Sequence, residues 1–235
     1  MTQYQYLPEP AGDKRTMASQ LEARVRLDII SGKLVPGSKL RLKDLAESYD
    51  AGVIPLREAL SRLSTTGFVT STDQKGFSVG LISAKEISDI TNTRLHLECK
   101  ALELSIQRGD LDWESKIIAA HHCLDRLQMM DAKDRLLSTD WENAHEVFHS
   151  ALLSNCGSPW LLRFADLLRD QTARYRALST QYTDSSGRNV PSEHRELMDA
   201  VLARDVETAC AVLTRHYQTT TQHVMNHALG GQHLV

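Results

Sequence analysis

From Ser83 to about Ala228 the sequence is written almost entirely in helical periods, and that one property excludes most folds. Apolar positions recur at three- and four-residue spacing. They predict helices over about 84–107, 112–130, 138–154, 159–178, 192–203 and 205–228. Ser83-Ala84-Lys85-Glu86 has the form of a capping box, in which a hydroxyl and a carboxylate satisfy free N–H groups at a helix start. Gly109 closes the first of these helices, and Thr183–Pro191 is the clearest loop. Helices without strands bury their apolar stripes against one another, so residues 83–228 are expected to form an all-α bundle, followed by a short tail at 229–235.

The first 82 residues are punctuated differently. Residues 1–16 read as a flexible arm. Leu21, Val25 and Ile29 then mark a helix from Met17 to about Ser31. Gly32, Pro36 and Gly37 make a turn, a short helix covers about 42–49, and Pro55 fits the first turn of a third helix over 55–64. Beyond Gly67, residues 68–71 and 76–81 read as two strands around an Asp-Gln-Lys-Gly turn. Three helices and a hairpin over 17–82 outline a winged helix-turn-helix. The fold class is therefore mainly α, a winged helix-turn-helix followed by a helical bundle.

Charge supports two different halves. Residues 1–80 hold 11 Lys and Arg against 9 Asp and Glu, and the remainder holds 16 against 21. A slightly basic part joined to an acidic one fits a nucleic-acid reader coupled to something else. No apolar run approaches the roughly 20 residues that span a bilayer, and the polar N-terminus lacks the apolar stretch of a signal peptide. A cytoplasmic location without membrane attachment is expected. Cys99, Cys123, Cys156 and Cys210 are widely spaced and read as small buried residues of a reducing compartment. Tyr175 and Trp160 are assigned to the core.

The N-terminal half carries a sequence signature. Leu34-x-Pro36-Gly37-x-x-Leu40, Leu45-Ala46-Glu47, Pro55-Leu56-Arg57-Glu58-Ala59-Leu60-x-x-Leu63 and Gly67-Phe68-Val69 together resemble the GntR-type regulators. Leu45, Ala46, Leu56, Leu60 and Leu63 are the packing positions. The resemblance implies that the third helix enters the major groove and the wing tip lies near the minor groove. Lys43 and Arg57 match the family's basic DNA contacts, and Lys75 with Gly76 matches the wing tip. Gly52-Val53-Ile54 stands where many relatives carry Ser-Arg-Thr, so one usual base-reading Arg is missing and the operator need not be a relative's.

His145-Glu146-Val147-Phe148-His149 matches His-Glu-x-x-His, in which two histidines share a helix face and the Glu acts as base. A zinc-dependent hydrolase is therefore the alternative function, with Asp166, Asp170 or Glu193 as third ligand. A second resemblance accounts for the same histidines. Arg94-x-x-Leu97-Glu98, Phe148-His149, Glu193-His194 and Ala209 through His216 resemble the FCD effector domain of the FadR branch. That domain commonly holds a divalent metal by Asp-x-x-x-His and two later histidines. Carried over, the ligands are His149, His194 and His216, with His145 in the usual place of the Asp. Such a set favours Zn or Ni over Mg. The remaining alternative is that some of these are core histidines bonded to polar neighbours, while His121, His122, His223 and His227 are placed at the surface.

Arg94, by family match, and Arg174 and Arg176, by their place near the end of a bundle helix, are candidates to hold a carboxylate effector. The run from Gly52 to Leu60, the Asp-Gln-Lys-Gly turn and His-x-x-Phe-His are most similar to the glutarate-responsive CsiR type. The resemblance implies a small organic acid, a dicarboxylate such as glutarate, as effector. It also implies a homodimer on a palindromic double-stranded operator, acting as a repressor rather than an enzyme.

Overall fold

A computed structural model describes residues 16–73, 75–133, 136–180 and 188–229. The N-terminal arm up to residue 15, Gln74 in the wing, most of the loop over 183–191 and the tail from 230 lie outside the described residues. The chain divides into two compact units, Met1–Leu27 with Gly37–Gly80 and Asp28–Pro36 with Leu81–Val235.

The first unit holds most of α1 (Met17–Ile30), then β1 (Lys39–Leu40), α2 (Leu42–Ser48), α3 (Val53–Thr65), β2 (Val69–Thr72) and β3 (Gly76–Val79). Leu21, Val25, Leu56, Leu60, Leu63, Phe68 and Val79 form its core. Burying each large apolar side chain stabilises the unit by roughly 1.5–3 kcal/mol. Leu45 is only half-buried, whereas Ala46, Leu56, Leu60 and Leu63 are buried as their spacing predicts. Gly67 follows the end of α3 at φ +78°, the left-handed conformation that closes a helix with no Cβ penalty. The sheet order is β1-β3-β2, all antiparallel. The two-residue β1, pairing Lys39 with Ser78 and Leu40 with Phe77, is too short to leave a period in the sequence. α3 begins two residues before the predicted Pro55, so Pro55 occupies its third position, where no intrahelical N–H bond is yet required.

The second unit is helical: α4 (Ala84–Arg108), α5 (Leu111–Asp125), α6 (Thr139–Leu153), α7 (Pro159–Thr180), α8 (Val190–Leu202) and α9 (Val206–His223), continued by a π-helical segment at Val224–Leu229. Side chains of Ser83, Asp110, Ser138, Asn189 and Asp205 each accept a backbone N–H at a helix start. Each such cap contributes about 1 kcal/mol. α4 packs against α6, α7 and α9, while α5 lies on α6 and α8, so Leu102, Ile117, Phe148, Leu152 and Val201 are sealed between them.

Several expectations need correction here. The capping box forms only on the Ser83 side: the Ser83 hydroxyl accepts from Glu86 N at 3.4 Å. Ser83 N donates to the Tyr175 hydroxyl at 3.2 Å instead, and Tyr175 and Arg174 hold the Glu86 carboxylate. α5 ends at Asp125, not near Met130, because Met129–Asp131 pair instead with Leu136–Ser138, through Asp131 N to Leu136 O and Ser138 N to Met129 O. Those bonds override good helix propensity. Trp160 is 64% exposed rather than core, whereas Tyr175 is fully buried. Of the cysteines only Cys156 is buried; Cys99 and Cys210 are half-buried and Cys123 is exposed. No helix among the described residues is long and apolar enough to cross a membrane.

Candidate metal and ligand site

α6 presents His145 and His149 one turn apart, with ring centroids 4.4 Å from each other. α8 brings His194 to 5.1 and 5.5 Å from those two rings, and α9 brings His216 to 4.8 Å from His194. All four are buried, and one ring nitrogen from each can be chosen so that the four atoms lie within 4.8 Å of one another. Three helices thus focus four imidazoles on one point.

Their outward partners select which nitrogen remains. His216 Nδ1 bonds Glu193 Oε2 at 2.6 Å, leaving Nε2. His149 Nδ1 meets the Tyr217 hydroxyl at 3.3 Å, and His149 Nε2 has no hydrogen-bond partner. His145 Nδ1 and His194 Nε2 are likewise buried without one. Buried polar atoms are almost always satisfied, so three orphaned imidazole nitrogens converging on one point fit a cation. Burial foremost, then neighbouring cationic groups, pushes His145, His149 and His194 well below the usual imidazole range. Each therefore keeps a lone pair at neutral pH, as metal ligation needs. Burial works to raise the Glu193 carboxyl, but hydrogen bonds from Arg188 and His216 outweigh it and hold it at about 2. The carboxylate fixing the His216 ring is thus ionised. A bound divalent ion would offer a Lewis-acid position for an oxygen ligand.

Beside the imidazoles lies a cavity of about 30 Å³ walled by His145, His216, Trp141, Thr172, Tyr217 and three arginines. Arg94 from α4 bonds Glu98 at 2.8 Å and sits 4.0 Å over the Tyr217 ring, whose hydroxyl donates to the same carboxylate at 2.6 Å. Arg176 from α7 grips Glu142 with two bonds of 2.8 and 2.6 Å. Arg188, just ahead of α8, grips Glu193 at 2.7 and 2.6 Å and donates to Thr220 at 3.0 Å. Arg94 and Arg176 are thus brought to the cavity. Arg174 is not: two residues from Arg176 is about 200° round a helix, and its guanidinium pairs with Glu86 at 2.7 Å instead. Arg188 escaped the sequence reading because it falls in the predicted loop, where no periodicity assigns a facing.

His-Glu-x-x-His does not assemble a hydrolytic centre. Glu146 lines a separate groove between α5 and α6, together with Lys116, Asn143 and Val147, while His145 faces the inner cavity. His121, expected at the surface, is 5% exposed and packs edge-on against Phe148 at 5.5 Å.

In the first unit Lys43 on α2, Arg57 on α3 and Lys75 and Gly76 at the wing are all exposed. Glu58, a possible partner for Arg57, instead pairs with Arg62 at 2.7 Å. Arg57, Lys43 and Lys75 form no ion pair among the described residues. Gly76 has φ +84°, which lets the wing turn tightly into β3.

A winged helix-turn-helix with exposed cations, in one chain with a helical unit that encloses a polar site, is the architecture of a DNA-binding regulator. Comparison with known proteins makes this specific: residues 17–79 match the gntR family of bacterial regulatory proteins and residues 89–219 match the FCD domain, so the chain belongs to the FCD-containing GntR regulators. The HTH-type transcriptional repressor GlaR of Escherichia coli (strain K12) is 38% identical over 82% of this chain and 88% of its own length. The HTH-type transcriptional regulator BphR of Paraburkholderia xenovorans (strain LB400) is 36% identical over 91% of this chain and 87% of its own. Among solved structures, E. coli McbR/YncC superposes with a TM-score of 0.70 over 90% of this chain and 98% of that chain, at 20% identity. A GntR transcriptional regulator from Rhodococcus sp. RHA1 gives 0.69 over 92% and 99%, at 23% identity. The two structures share the fold. The chain is a DNA-binding transcriptional regulator and not an enzyme.

Proposed function

We propose that this regulator is a cytoplasmic repressor that binds a palindromic operator as a homodimer and releases it when a small dicarboxylate, such as glutarate, binds at a metal in the helical unit. Arg57 on α3 and Lys43 on α2 would contact base edges and phosphates, with Lys75 and Gly76 at the wing tip. His145, His149, His194 and His216 would hold the ion, and an all-imidazole set suits Zn or Ni. Arg94, Arg176 and Arg188 would attract the acid.

The observation that carries this reading is the convergence of three orphaned imidazole nitrogens beside a cavity walled by guanidinium groups. The E. coli relative named a repressor supports the direction of control. A cavity of about 30 Å³ has room for little more than a water molecule, so an acid of several carbons must displace side chains to bind. That displacement couples ligand to conformation: the acid shifts the equilibrium by its differential affinity for the opened state.

Elemental analysis of gently purified protein tests the metal directly. About one equivalent of Zn or Ni is expected, lost in His149→Ala. Less than about a tenth of an equivalent, with no uptake on adding either ion, would overturn it.

A further inference from the structure

Arg169 on α7 is 3% exposed. It precedes Thr172 by three residues and Arg176 by seven, so the three share one helix face, and the latter two wall the cavity. Its Nη1 donates to Ser150 Oγ at 2.5 Å and to Asp166 Oδ1 at 3.0 Å. Its Nε and Nη2 are buried and meet no acceptor among the described residues. Those two donors form the side-on edge of a guanidinium, the edge that matches the two oxygens of a carboxylate. In Arg176 and in Arg188 the same edge holds Glu142 and Glu193 with both donors engaged.

The buried carboxylate that feels the Arg169 charge is already committed. Glu98 accepts from Arg94 and from Tyr217, and the Arg169 charge is felt at Glu98, His149 and Tyr217 alike. Its bond to Ser150, the residue after His149, sets Arg169 against the helix that carries His145 and His149. Charge points the same way. Arg94, Arg169, Arg176 and Arg188 face the three carboxylates Glu98, Glu142 and Glu193, while Asp166 is 61% exposed. The four imidazoles add no negative charge, and an Asp in place of His145 would have added one. A divalent ion on neutral ligands deepens the positive surplus, which a doubly charged anion offsets better than a singly charged one.

We propose that the Nε–Nη2 edge of Arg169 receives a carboxylate of the effector and makes the site selective for dianionic acids over monoanionic ones. This rests on the carboxylate-effector reading above. The test compares glutarate with butyrate, acids of similar length and different charge, by thermal shift and calorimetry on the metal-loaded full chain. Wild type should bind glutarate far more tightly than butyrate. Arg169→Met should keep its metal and, without acid, still fold and melt cooperatively, since the bonds it loses are those of Nη1 to Ser150 and to the exposed Asp166, while Nε and Nη2 bond no group among the described residues. Its glutarate affinity should fall about tenfold to a hundredfold, with butyrate little changed. Arg169→Lys, which keeps the charge and loses the edge, should lie between them.

Wild-type glutarate affinity in Arg169→Met would overturn the inference and leave the carboxylate reading standing. Failure of wild type to bind either acid would overturn both. Should Arg169→Met unfold or lose metal, Arg169→Lys decides: weakened glutarate binding with full metal supports the assignment, and unchanged binding sinks it.

Discussion

The Glu193 carboxylate sits 2.6 Å from His216 Nδ1 while Arg188 also grips it, so one half-buried acid both orients an imidazole and anchors a cavity arginine. An outer carboxylate of this kind fixes the ring and raises its basicity as a ligand. Glu193→Gln should therefore lower metal affinity about 10- to 100-fold without removing a ligand. Competition with a chromophoric chelator measures it, and an unchanged affinity would show that His216 does not bind metal through Nε2.

Arg57 is exposed and forms no ion pair among the described residues, so its removal should leave the fold intact. Arg57→Ala is expected to shift stability by less than about 0.5 kcal/mol. Operator binding should weaken by about 1–3 kcal/mol. Lys43→Ala, if Lys43 meets phosphate, should weaken all sequences alike and reduce the salt slope by about one. Titrations at several salt concentrations separate the two roles; equal slopes would remove Lys43 from the phosphate contacts.

Glu142 and Arg176 form a buried two-bond pair between α6 and α7. Glu142→Ala leaves a guanidinium in the interior without that carboxylate, which should cost about 3–5 kcal/mol in urea unfolding. A loss below about 1 kcal/mol would mean the cation finds water or another acid there.

The Cys99 thiol on α4 is drawn down to about 7, chiefly by its hydrogen bond with Cys210 on α9. Cys210 Sγ lies 3.7 Å from the Cys99 carbonyl oxygen. The thiolate fraction grows as pH rises, so alkylation of Cys99 should climb through a midpoint near 7. Cys210→Ala should move that midpoint up toward the ordinary thiol value of about 8.5. Peptide mapping across pH reads both, and a wild-type midpoint already near the ordinary value would contradict the contact.

The helical period after Ser83 and the Gly and Pro punctuation before it were enough to define the two architectures, because both are written locally. What escaped is non-local. The two-residue β1 exists only because Lys39 and Leu40 meet β3. α5 stops at Asp125 because Met129–Asp131 pair with Leu136–Ser138. The histidines were legible since His145 and His149 share a face and His194 and His216 fit the family pattern. Arg188 was hidden in loop sequence, and Arg174 was placed on the wrong face although its two-residue offset from Arg176 already forbids a shared one. Arg169, seven residues before Arg176, had the right spacing. Trp160 and His121 exchanged their expected environments, which periodicity cannot assign without knowing which neighbours cover a helix.

The central claim, that a metal-bound acid controls DNA binding, is tested most directly by fluorescence anisotropy of the chain on its own upstream promoter DNA, titrated with glutarate. The account predicts tight binding without acid and release as glutarate rises. It also predicts that His149→Ala/His194→Ala, freed of metal, still binds the DNA yet ignores the acid. Release of the double variant by the same glutarate concentration, or a wild-type complex indifferent to every dicarboxylate from three to six carbons, would contradict it.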